Sequence, residues 1–585
     1  MWTSENPDNA DRAEMHRSSA HERDTPGIEK AVGFPRRDFL LGSGVVAIGA
    51  ILPPVGSGGG APSGPARGVG TPVNLVVDGA AAGRQISRDF TGLSFERGAL
   101  TPGNAGVAGY FFSPENTELV TLFRNAGIKN LRVGAGTADQ QIPPGTGGDG
   151  YTGIDQLFQF AAAANASVSY GMRLYNPSSQ PIPGLLSDDA AAARYIWQRY
   201  SSLLSSFSIG NEPDWHSFHV GDPAIFETTP GEPGTAYQSY LEDWRSFAAA
   251  VHDAAPNAKL SGPDTGNYGT RGGVPYVTFT PNAATGISWT QKFAEDEGPS
   301  GLIKDATQHI YVGGSPLGTT ASQAIDNMLS ANWVEDDQIG TQPAGTASGV
   351  TSFAPYPWLA ERIVSPVVAA GLPVRLSESN DYLTGVPGAS DRFAAALWAL
   401  DYMHWWAARG VSGVNFHNKQ WIYTDTITPA LGTYTPLAGS CGPSGCGGYR
   451  VSPKGYALKA FDLGADGAVK PIQMAKPSGV NVTAYAVGGD RDLYVTVINK
   501  THGPGATDAR VTIEPRNFGW TEAAAMTLEA GEPGDPSSET ATIGGAAITN
   551  DAPWEGKWAA LTRDGMGQLA VTVRATTAAV IRLHR

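Results

Sequence analysis

Eight short apolar segments, separated by stretches whose apolar residues recur at helical spacing, constrain this fold more than any other feature of the sequence. Such alternation is typical of a parallel sheet whose strands are joined by helices. Eight units predict a closed (β/α)₈ barrel, in which reactive groups follow the carboxyl ends of the strands. The predicted strands are Phe90–Phe95, Asn130–Val133, Ser167–Leu174, Ser206–Ile209, Lys259–Gly262, Ala306–Tyr311, Val374–Ser377 and Val411–Phe416.

The crossover helices are predicted from apolar residues spaced three and four positions apart. Six crossovers show this spacing clearly, whereas the fifth is poorly defined and has Trp289–Glu297 as its candidate helix. The clear helices are Glu115–Asn125, Ile154–Asn165, Ala190–Tyr200, Tyr237–Ala254, Trp358–Ala370 and Arg392–Ala408.

The pattern changes after about Lys454, where apolar residues begin to alternate with polar ones. Segments with this period, separated by turns, predict an antiparallel β-sandwich appended to the barrel. We therefore expect the barrel over residues 71–455 and the sandwich over 456–585, with a strand within 72–80 joining the sandwich. The predicted sandwich strands are Val480–Val487, Asp492–Asn499, Ala509–Ile513, Ala525–Leu528, Leu569–Val573 and Ala578–Leu583, with Val73–Asp78 as a further one.

Residues 1–70 predict an export leader rather than a part of the fold. Arg36 and Arg37 precede an uncharged apolar run, Phe39–Val55, and this order resembles a twin-arginine signal peptide. The run is shorter than the ~20 residues that span a bilayer, so a membrane anchor is not expected. Cleavage of the leader is expected within Gly58–Arg67. The mature protein is therefore predicted to be secreted or periplasmic.

The few candidate metal ligands outside the predicted barrel mouth do not form a convincing metal site. Two cysteines, Cys441 and Cys446, cannot build a Cys-rich zinc or iron–sulfur centre. Outside the cytoplasm they can instead form a disulfide that closes a small loop, and the alternative is two free thiols. His216 and His219 are spaced like ligands on a helix, but a third ligand is not evident. We therefore expect loop histidines and no metal.

The charge balance and the absent motifs exclude several classes of function. The chain has 40 lysines and arginines against 55 aspartates and glutamates, a net charge of −15. A general nucleic-acid binder needs clustered cations, so that class is disfavoured. The sequence contains no phosphate-binding Gly-x-x-x-x-Gly-Lys loop, and the mature chain has no Gly-x-Ser-x-Gly elbow of a serine esterase. No organic cofactor is expected.

The strongest motif, Asn211-Glu212-Pro213, ends the fourth predicted strand. Proline stops strand pairing where the barrel opens, which leaves Glu212 at the barrel mouth. The neighbouring Trp215 makes the setting partly apolar, which is expected to raise the pKa of Glu212 and suit it to donate a proton. The alternative is an ordinary surface glutamate in a turn after a strand.

A second glutamate, Glu378, ends the seventh predicted strand, so it reaches the same mouth from another wall. Two carboxylates that face each other across a cleft are what glycoside cleavage requires: one protonates the departing oxygen, and the other attacks the anomeric carbon or activates a water. The alternative is an ion pair between Glu378 and Arg375 or Arg132. Arg132 itself is expected to pair with an active-site carboxylate.

These motifs resemble the clan of barrel glycosidases that retain anomeric configuration, and more narrowly glycoside hydrolase family 79. The residues that carry the resemblance are Gly92–Glu96, Ser208–Pro213, Ser377–Asn380, Gly388–Trp398 and Gly413–His417. The family contains β-glucuronidases and heparanases and pairs its barrel with a β-sandwich. The resemblance implies that Glu212 is the acid/base and Glu378 the nucleophile. It also implies sugar-binding roles for Glu96, Asn211, Tyr311 and the Asn415–Asn418 loop, including Asn415, His417 and Asn418.

The resulting expectation is an exported retaining glycosidase that acts on a carbohydrate, most specifically a β-glucuronide. Retention requires carboxyl groups about 5–5.5 Å apart, whereas inversion requires about 6.5–9.5 Å. Tyr311 is expected to hydrogen-bond the nucleophile and keep it ionised, and the alternative is ordinary packing of its amphipathic ring. The alternatives are a retaining β-glycosidase of neutral sugars and a non-catalytic carbohydrate-binding barrel. The aglycone, exo or endo action and the oligomeric state do not follow from the sequence.

Overall fold

The computed structural model describes Gly70 to Arg585 with internal gaps. The gaps are residues 103–109, 139–150, 175–181, 216–234, 267–268, 272–273, 277–287, 315, 317, 336–354, 419–433, 443–444 and 565–567. The predicted leader, with Arg36 and Arg37, lies outside the described residues. Export therefore stays a prediction.

Eight parallel strands close into a barrel, which confirms the predicted fold class. The barrel strands are β2 (Thr91–Glu96), β3 (Asn130–Gly134), β4 (Ser167–Met172), β5 (Leu204–Ile209), β6 (Leu260–Thr265), β9 (Ile303–Tyr311), β10 (Val374–Asn380) and β11 (Val411–His417). Strand β1 (Thr71–Asp78) precedes them, and a short hairpin of β7 (Gly269–Arg271) and β8 (Val274–Tyr276) is inserted between β6 and β9. The order around the barrel is β10-β11-β2-β3-β4-β5-β6-β9, so barrel strands that follow each other in sequence are neighbours in space.

Helices follow the barrel strands at the predicted crossovers, including Trp289–Glu297 at the fifth. None of the helices in the described part of the chain is both long and apolar enough to cross a membrane. The helices are α1 (Thr117–Ala126), α2 (Thr152–Ala164), α3 (Ile182–Tyr200), α4 (Thr235–Ala254), α5 (Trp289–Glu297), α6 (Ala321–Met328), α7 (Asn332–Glu335), α8 (Tyr356–Leu359), α9 (Ser365–Ala369), α10 (Phe393–Ala407) and α11 (Pro453–Gly464).

The sixth crossover differs from the single α-helix predicted over Trp358–Ala370. A π-helical turn, Ala360–Val364, separates α8 from α9. Pro366 lies just after this turn and has no N–H to donate to the carbonyl four residues earlier. The wider turn accommodates that missing hydrogen bond, because it changes the donor–acceptor pairing of the preceding residues.

Helix α11 belongs to the barrel's outer layer, although it falls mostly within the predicted sandwich segment 456–585. Its Phe461 stacks on Phe90, just before β2, with ring centroids 4.7 Å apart. The helix also packs against α10, whose side chains are all buried. The sandwich strands accordingly begin at Ala468, after the helix.

Apart from one separate hairpin, the remaining strands form two facing sheets. One has the order β15-β1-β18-β22, and the other has the order β14-β16-β17-β23-β19-β20 with β21 also on β19. The pair β1–β18 is parallel, unlike the antiparallel pairing predicted throughout. The strands are β12 (Leu437–Gly442) and β13 (Gly445–Val451) in a separate hairpin, then β14 (Ala468–Lys470), β15 (Ile472–Ala475), β16 (Val482–Gly488), β17 (Asp492–Asn499), β18 (Ala509–Arg516), β19 (Glu522–Ala530), β20 (Ala541–Ile543), β21 (Ala559–Leu561), β22 (Leu569–Val573) and β23 (Thr577–His584).

A buried carboxylate joins the barrel helix α10 to the sandwich. Asp401 accepts hydrogen bonds from Thr483 Oγ1 at 2.6 Å, Tyr485 OH at 2.7 Å and Lys500 Nζ at 2.9 Å. Both members of the Asp401–Lys500 pair are almost fully buried. Removing the carboxylate would leave a buried ammonium without its counter-charge, which is a strongly destabilising change.

We therefore expect Asp401→Ala to lower the free energy of unfolding by about 3–5 kcal/mol, measured by urea denaturation. The matched control is Glu514→Ala, which breaks the Arg516 pair whose side chains are 57% and 58% exposed. That change should cost about 1 kcal/mol or less. Equal effects of the two substitutions would contradict the structural role of Asp401.

Candidate active site

Glu212 follows β5 at the barrel mouth in an unusual backbone conformation. Gly210 has a φ of 85° and Glu212 has a φ of 46°. Both lie in the left-handed region, which is unfavourable for residues other than glycine. The Glu212 N–H donates to the carbonyl of Asp264 at 2.9 Å, which holds the turn against β6. Strained backbone of this kind is common at functional sites, where the surrounding structure maintains it. The turn directs the motif away from regular strand geometry.

Glu378 lies within β10 and is nearly buried, with its side chain 8% exposed. Arg132 Nη1 donates to Glu378 Oε2 at 2.9 Å, and Tyr311 OH donates to Oε1 at 2.6 Å. The predicted hydrogen bond from Tyr311 is thus present in the structure. Of the two arginines proposed as ion-pair partners, Arg132 is the one that contacts Glu378, whereas Arg375 pairs with Asp89 at 3.0 Å.

The surroundings of Glu378 favour its charged form. Burial alone would raise the pKa of Glu378, but the charges of His417, His309 and Arg132 and the hydrogen bond from Tyr311 hold it well below its usual range. The same contact has the opposite effect on the phenol, since burial and the nearby carboxylate raise the pKa of Tyr311 far above 10.0. Glu378 is therefore an ionised carboxylate held by neutral and cationic donors at neutral pH.

Arg132 contacts side chains from four other strands or from the residues that directly follow them. Besides Glu378, its Nη1 contacts Ser94 Oγ at 2.9 Å, while Nη2 contacts Asn211 Oδ1 at 2.8 Å and Asp264 Oδ2 at 3.3 Å. The amide oxygen of Asn211 is therefore occupied by Arg132, and this contact fixes the residue that precedes Glu212. Because an arginine offers several rigid donors, one guanidinium positions both glutamate-bearing strands.

His309 is a site residue that the motif reading did not select. Its Nδ1 lies 2.9 Å from Glu212 Oε1, and its Nε2 lies 3.6 Å from Asp264 Oδ1. Burial would lower the pKa of His309, but the carboxylates of Glu378, Asp264 and Glu212 raise it to about 9. The signal that could have found it is the spacing His309-Ile310-Tyr311, which puts His309 and Tyr311 on the same face of β9.

Two buried aspartates complete the surroundings of Glu212, and their pKa values move in opposite directions. Burial would raise the pKa of Asp264, yet Arg132 and His309 hold it well below its usual range. Burial and the charge of Glu212 raise the pKa of Asp214 to about 7. Asp214 therefore retains a proton near neutral pH beside Glu212, whereas Asp264 stays ionised beside His309.

The raised pKa of His309 predicts a pH-dependent contribution to stability. The folded-state value of about 9 lies above the ordinary 6.5, so the contribution is complete below about pH 6.5 and is lost as the pH rises through 9. We expect the difference in unfolding free energy between the wild type and His309→Gln to shrink steadily between these two pH values, measured by urea denaturation. A difference that stays constant or grows with pH would contradict the charged state of His309.

Glu96 and His417 form the opposite side of the mouth. Glu96 Oε2 accepts from the N–H and the hydroxyl of Thr137 at 2.8 and 2.7 Å, and Oε1 lies 3.3 Å from His417 Nε2. His417 Nδ1 is 2.8 Å from Tyr434 OH and 3.8 Å from Glu378 Oε1. The structure therefore brings Glu96 and His417 close to Glu378, whereas their sugar-binding roles stay a prediction.

Asn415 and Asn418 differ from the expectation that they hold the sugar. Asn415 is fully buried, and its amide contacts Arg375, the Leu93 carbonyl and Asn130 at 2.7–3.1 Å. These partners lie in the barrel interior, so Asn415 crosslinks strands rather than facing the mouth. Asn418 is also buried, and its Oδ1 accepts from the Leu437 N–H at 2.9 Å, which anchors the β12–β13 hairpin.

Several predicted features lie outside the described residues or side chains. His216 and His219 are in the gaps, and the side chain of Trp215 is not described. The hairpin β12–β13 sets the backbone of Cys441 opposite that of Cys446. The disulfide itself stays a prediction.

The mouth contains one set of groups with the dimensions of a cation site. One atom each from Glu212, His309 and Glu378 lies within 4.8 Å of the others. Two carboxylates and an imidazole can ligate zinc. The same groups, however, satisfy one another through the contacts with Arg132 and Tyr311 described above, so no ion is needed to compensate their charges.

We therefore expect full activity after dialysis against EDTA, and inhibition by added zinc chloride that EDTA reverses. Zinc would occupy the space between the two glutamates and remove the free carboxylates that the predicted glycosidase reaction needs. The measurement is the rate of aryl-glycoside hydrolysis. Loss of activity on chelation, restored by one divalent metal, would contradict the expected independence of metals.

No family model matches the chain. Two curated relatives match part of it: a β-glucuronidase of Neurospora crassa, 25% identical over 258 residues, and a β-glucuronidase of Aspergillus niger, 22% identical over 288 residues. The matches cover 40% and 46% of this chain and 38% and 45% of the respective relatives. The chain thus spans less than half the length of the curated relatives that it matches.

Solved structures resemble nearly the whole described fold. A 4-O-α-L-rhamnosyl-β-D-glucuronidase from Fusarium oxysporum has a TM-score of 0.57 at 17% identity and covers 87% of this chain and 99% of its own. A family 51 α-L-arabinofuranosidase from Bifidobacterium longum also has a TM-score of 0.57, at 13% identity, covering 88% of this chain and 100% of its own. A monomeric β-xylosidase from Caulobacter crescentus scores 0.53 at 14% identity, covering 87% and 99%. At these identities the likeness establishes the fold.

Proposed function

We propose that this chain is a retaining glycoside hydrolase that cleaves a β-glucuronide by double displacement, with Glu212 as acid/base and Glu378 as nucleophile. The observation that carries the proposal is the pairing of two glutamates from different walls of one barrel, with one oxygen of each lying within 4.8 Å of the other. Inverting enzymes need about 6.5–9.5 Å between carboxyl groups, to admit a water between them. The close approach of these two oxygens agrees better with the separation of about 5–5.5 Å between carboxyl groups that direct attack by one carboxylate requires.

The surroundings of each glutamate support its role. Arg132 and Tyr311 keep Glu378 ionised, as a nucleophile must be, and aim its two oxygens. Glu212 is partly exposed, with 31% of its side chain accessible, and its Oε1 lies 2.9 Å from His309 Nδ1. A group that reaches the solvent-facing side of the cleft can meet the aglycone oxygen and later a water.

The reaction follows from these positions. Glu212 gives its proton to the glycosidic oxygen as the bond from the anomeric carbon to that oxygen breaks, and Glu378 forms a bond to the same carbon. After the aglycone departs, Glu212 takes a proton from a water that attacks the anomeric carbon and releases Glu378. Two inversions at one carbon give net retention. Glu96 and His417 lie where they can hydrogen-bond the sugar hydroxyls.

The glucuronide is the favoured sugar because three comparisons point to it. Both curated relatives are named β-glucuronidase, the structurally similar Fusarium oxysporum enzyme acts on a rhamnosyl-glucuronide according to its name, and the mouth motifs resemble family 79. We include in the proposal that the chain is a member of that family and that the twin-arginine leader exports it. Amino-terminal sequencing of protein from the culture medium tests export, with cleavage expected within Gly58–Arg67.

One observation favours a neutral sugar as the second candidate. Three basic side chains beside the two glutamates already face carboxylates of the chain: Arg132 lies 2.9 Å from Glu378, His309 lies 2.9 Å from Glu212, and the imidazole of His417 lies 3.3 Å from Glu96. Beside the two glutamates, a uronic carboxylate would therefore compete with these contacts or be met by hydroxyl or backbone N–H donors. A neutral β-glycoside would need no such donors.

A panel of 4-nitrophenyl β-glycosides tests the proposal. The mature protein should release nitrophenol from the glucuronide with a kcat/KM well above that for the glucoside, galactoside and xyloside. Proton NMR of the first-formed sugar should show the β-anomer. Preference for a neutral sugar would replace the substrate while keeping the two glutamates. A first-formed α-anomer would overturn the retaining mechanism, and silence across the panel would favour a non-catalytic binding barrel.

A further inference from the structure

A groove crosses the outer face of the sandwich at β19, β21 and β23. Along β23 the side chains alternate: Ile581 and Leu583 point into the sandwich core, so Arg582 and His584 lie on the opposite face. Nearer the barrel this face is covered by α11, since Val580 packs beside Gly464. The groove begins where that cover ends, and its volume of about 380 Å³ falls within the range of ligand pockets.

The groove has a floor of short side chains and walls of aromatic and charged ones. Ala524 is paired with Ala560 on β21 and with Arg582 on β23. Because alanine side chains are short, the two alanines form the floor of the groove between its higher walls. Trp558 forms one wall, and the guanidinium of Arg582 lies 4.8 Å from the centre of its ring. Glu522 stands opposite His584 at the end of the groove.

Of the two basic residues that line the groove, Arg582 and His584, it is Arg582 that lacks an acidic partner among the described residues. Within the described part of the chain it makes no ion pair or hydrogen bond to a carboxylate, whereas Arg574 pairs with Glu529, and His584 contacts Asp492 at 2.9 Å. The indole holds the guanidinium by a cation–π contact and leaves its N–H groups for a ligand. An arginine offered in this way suits a planar anion such as a carboxylate.

We propose that this groove is a second binding site, distinct from the barrel mouth, for a glycan that contains uronic acid. A uronic-acid ring presents an apolar C–H face, which packs on an indole, and a carboxylate in the plane of the ring, which an arginine can bind with two hydrogen bonds. Its hydroxyls would meet Glu522 and the free edge of His584. The site lies on the sandwich, so the inference does not depend on the activity proposed for the barrel.

Affinity electrophoresis through gels containing sodium alginate, a polymer of uronic acids, tests the site in the full mature protein. Retardation is expected for the wild type, and Arg582→Gln should weaken the apparent affinity about tenfold or more, because a charge-assisted bidentate contact is lost. Trp558→Ala should weaken it as well. The matched control is Arg362→Gln, since Arg362 lies 4.9 Å from the Trp358 ring on the barrel and should be dispensable.

Three outcomes would overturn the proposal. The first is no retardation of the wild type, or retardation that Arg582→Gln leaves unchanged. The second is equal retardation by hydroxyethyl cellulose, which would show a site for neutral glycans. The third is equal binding of poly-L-glutamate, which would show an anion site without sugar recognition. Hydrolysis of 4-nitrophenyl glycosides by Arg582→Gln should match the wild type, so failure of this site and failure of the proposed catalysis are separable.

Discussion

Replacing Glu378 with glycine is expected to lower kcat for a 4-nitrophenyl β-glycoside by roughly 10⁴-fold or more, because the covalent intermediate can no longer form. The loss should exceed that of any other single substitution in the mouth. Arg132 and Tyr311 both direct donors at Glu378, so the vacated space will be lined by groups that favour an anion. That lining makes a small external nucleophile an effective substitute.

Sodium azide should therefore restore turnover of Glu378→Gly and give the α-glycosyl azide, because azide attacks from the face that Glu378 occupied. The rate of nitrophenol release and the anomer of the azide product are both measured. Glu297→Gly serves as a matched control, since Glu297 is also a buried glutamate paired with an arginine, Arg245, but lies on the outer helix α5. It should keep the activity of the wild type and show no response to azide.

Either of two results would move the nucleophile elsewhere. One is substantial activity of Glu378→Gly without azide. The other is a β-glycosyl azide as product, which would place the attacking anion on the acid/base side. An inactive variant that azide does not rescue calls for Glu378→Ala and Glu378→Ser, since both retain the cavity; failure of all three to respond would also count against the assignment.

The barrel could be predicted from the sequence because its signal is repeated. Eight buried strands with helices between them leave little choice of topology, and the strand ends were placed within a few residues. The two glutamates followed from the same rule, since residues at the carboxyl ends of parallel strands meet at one mouth. Glu212 was further marked by the adjacent Pro213.

The rest of the mouth depended on contacts between distant segments, which sequence spacing does not encode. His309 and Asp264 come from β9 and β6, and what distinguishes them is their contact with Glu212 and Arg132. Asn415 was misplaced for the same reason: strand residues alternate in direction, and its register aims it at Asn130 inside the barrel. A motif shows that a polar residue is near the mouth, but not which way it points.

The sandwich shows the same limit at the level of topology. Alternating residues identified seven of its strands, including the predicted Val73–Asp78 far from the others in sequence, but not the short strands β14, β15, β20 and β21. Periodicity carries no information on partner direction, however, and the pairing of β1 with β18 is parallel. Such pairing becomes possible because the whole barrel lies between the two strands in the chain, which gives the connection ample length.

Glu212→Ala should separate the two chemical steps. For an alkyl β-glycoside, whose aglycone cannot leave without a proton, we expect kcat/KM to fall by about 10³–10⁴-fold, the upper range for general acid catalysis. For a 4-nitrophenyl glycoside the fall in kcat/KM should be much smaller, because nitrophenolate leaves unaided. Water still has to attack the glycosyl-enzyme without a base, so kcat should drop and nitrophenol should appear in a burst.

Azide should raise kcat of Glu212→Ala with the nitrophenyl substrate, because it needs no base, and the product should be the β-glycosyl azide, the opposite anomer from Glu378→Gly. His309→Gln provides a graded comparison, since it removes the contact 2.9 Å from Glu212 Oε1 but leaves the carboxylate. It should shift the pH profile of kcat/KM while retaining more activity on the alkyl glycoside than Glu212→Ala. Equal losses on both substrates for Glu212→Ala, with no burst, would show that Glu212 does not protonate the leaving group.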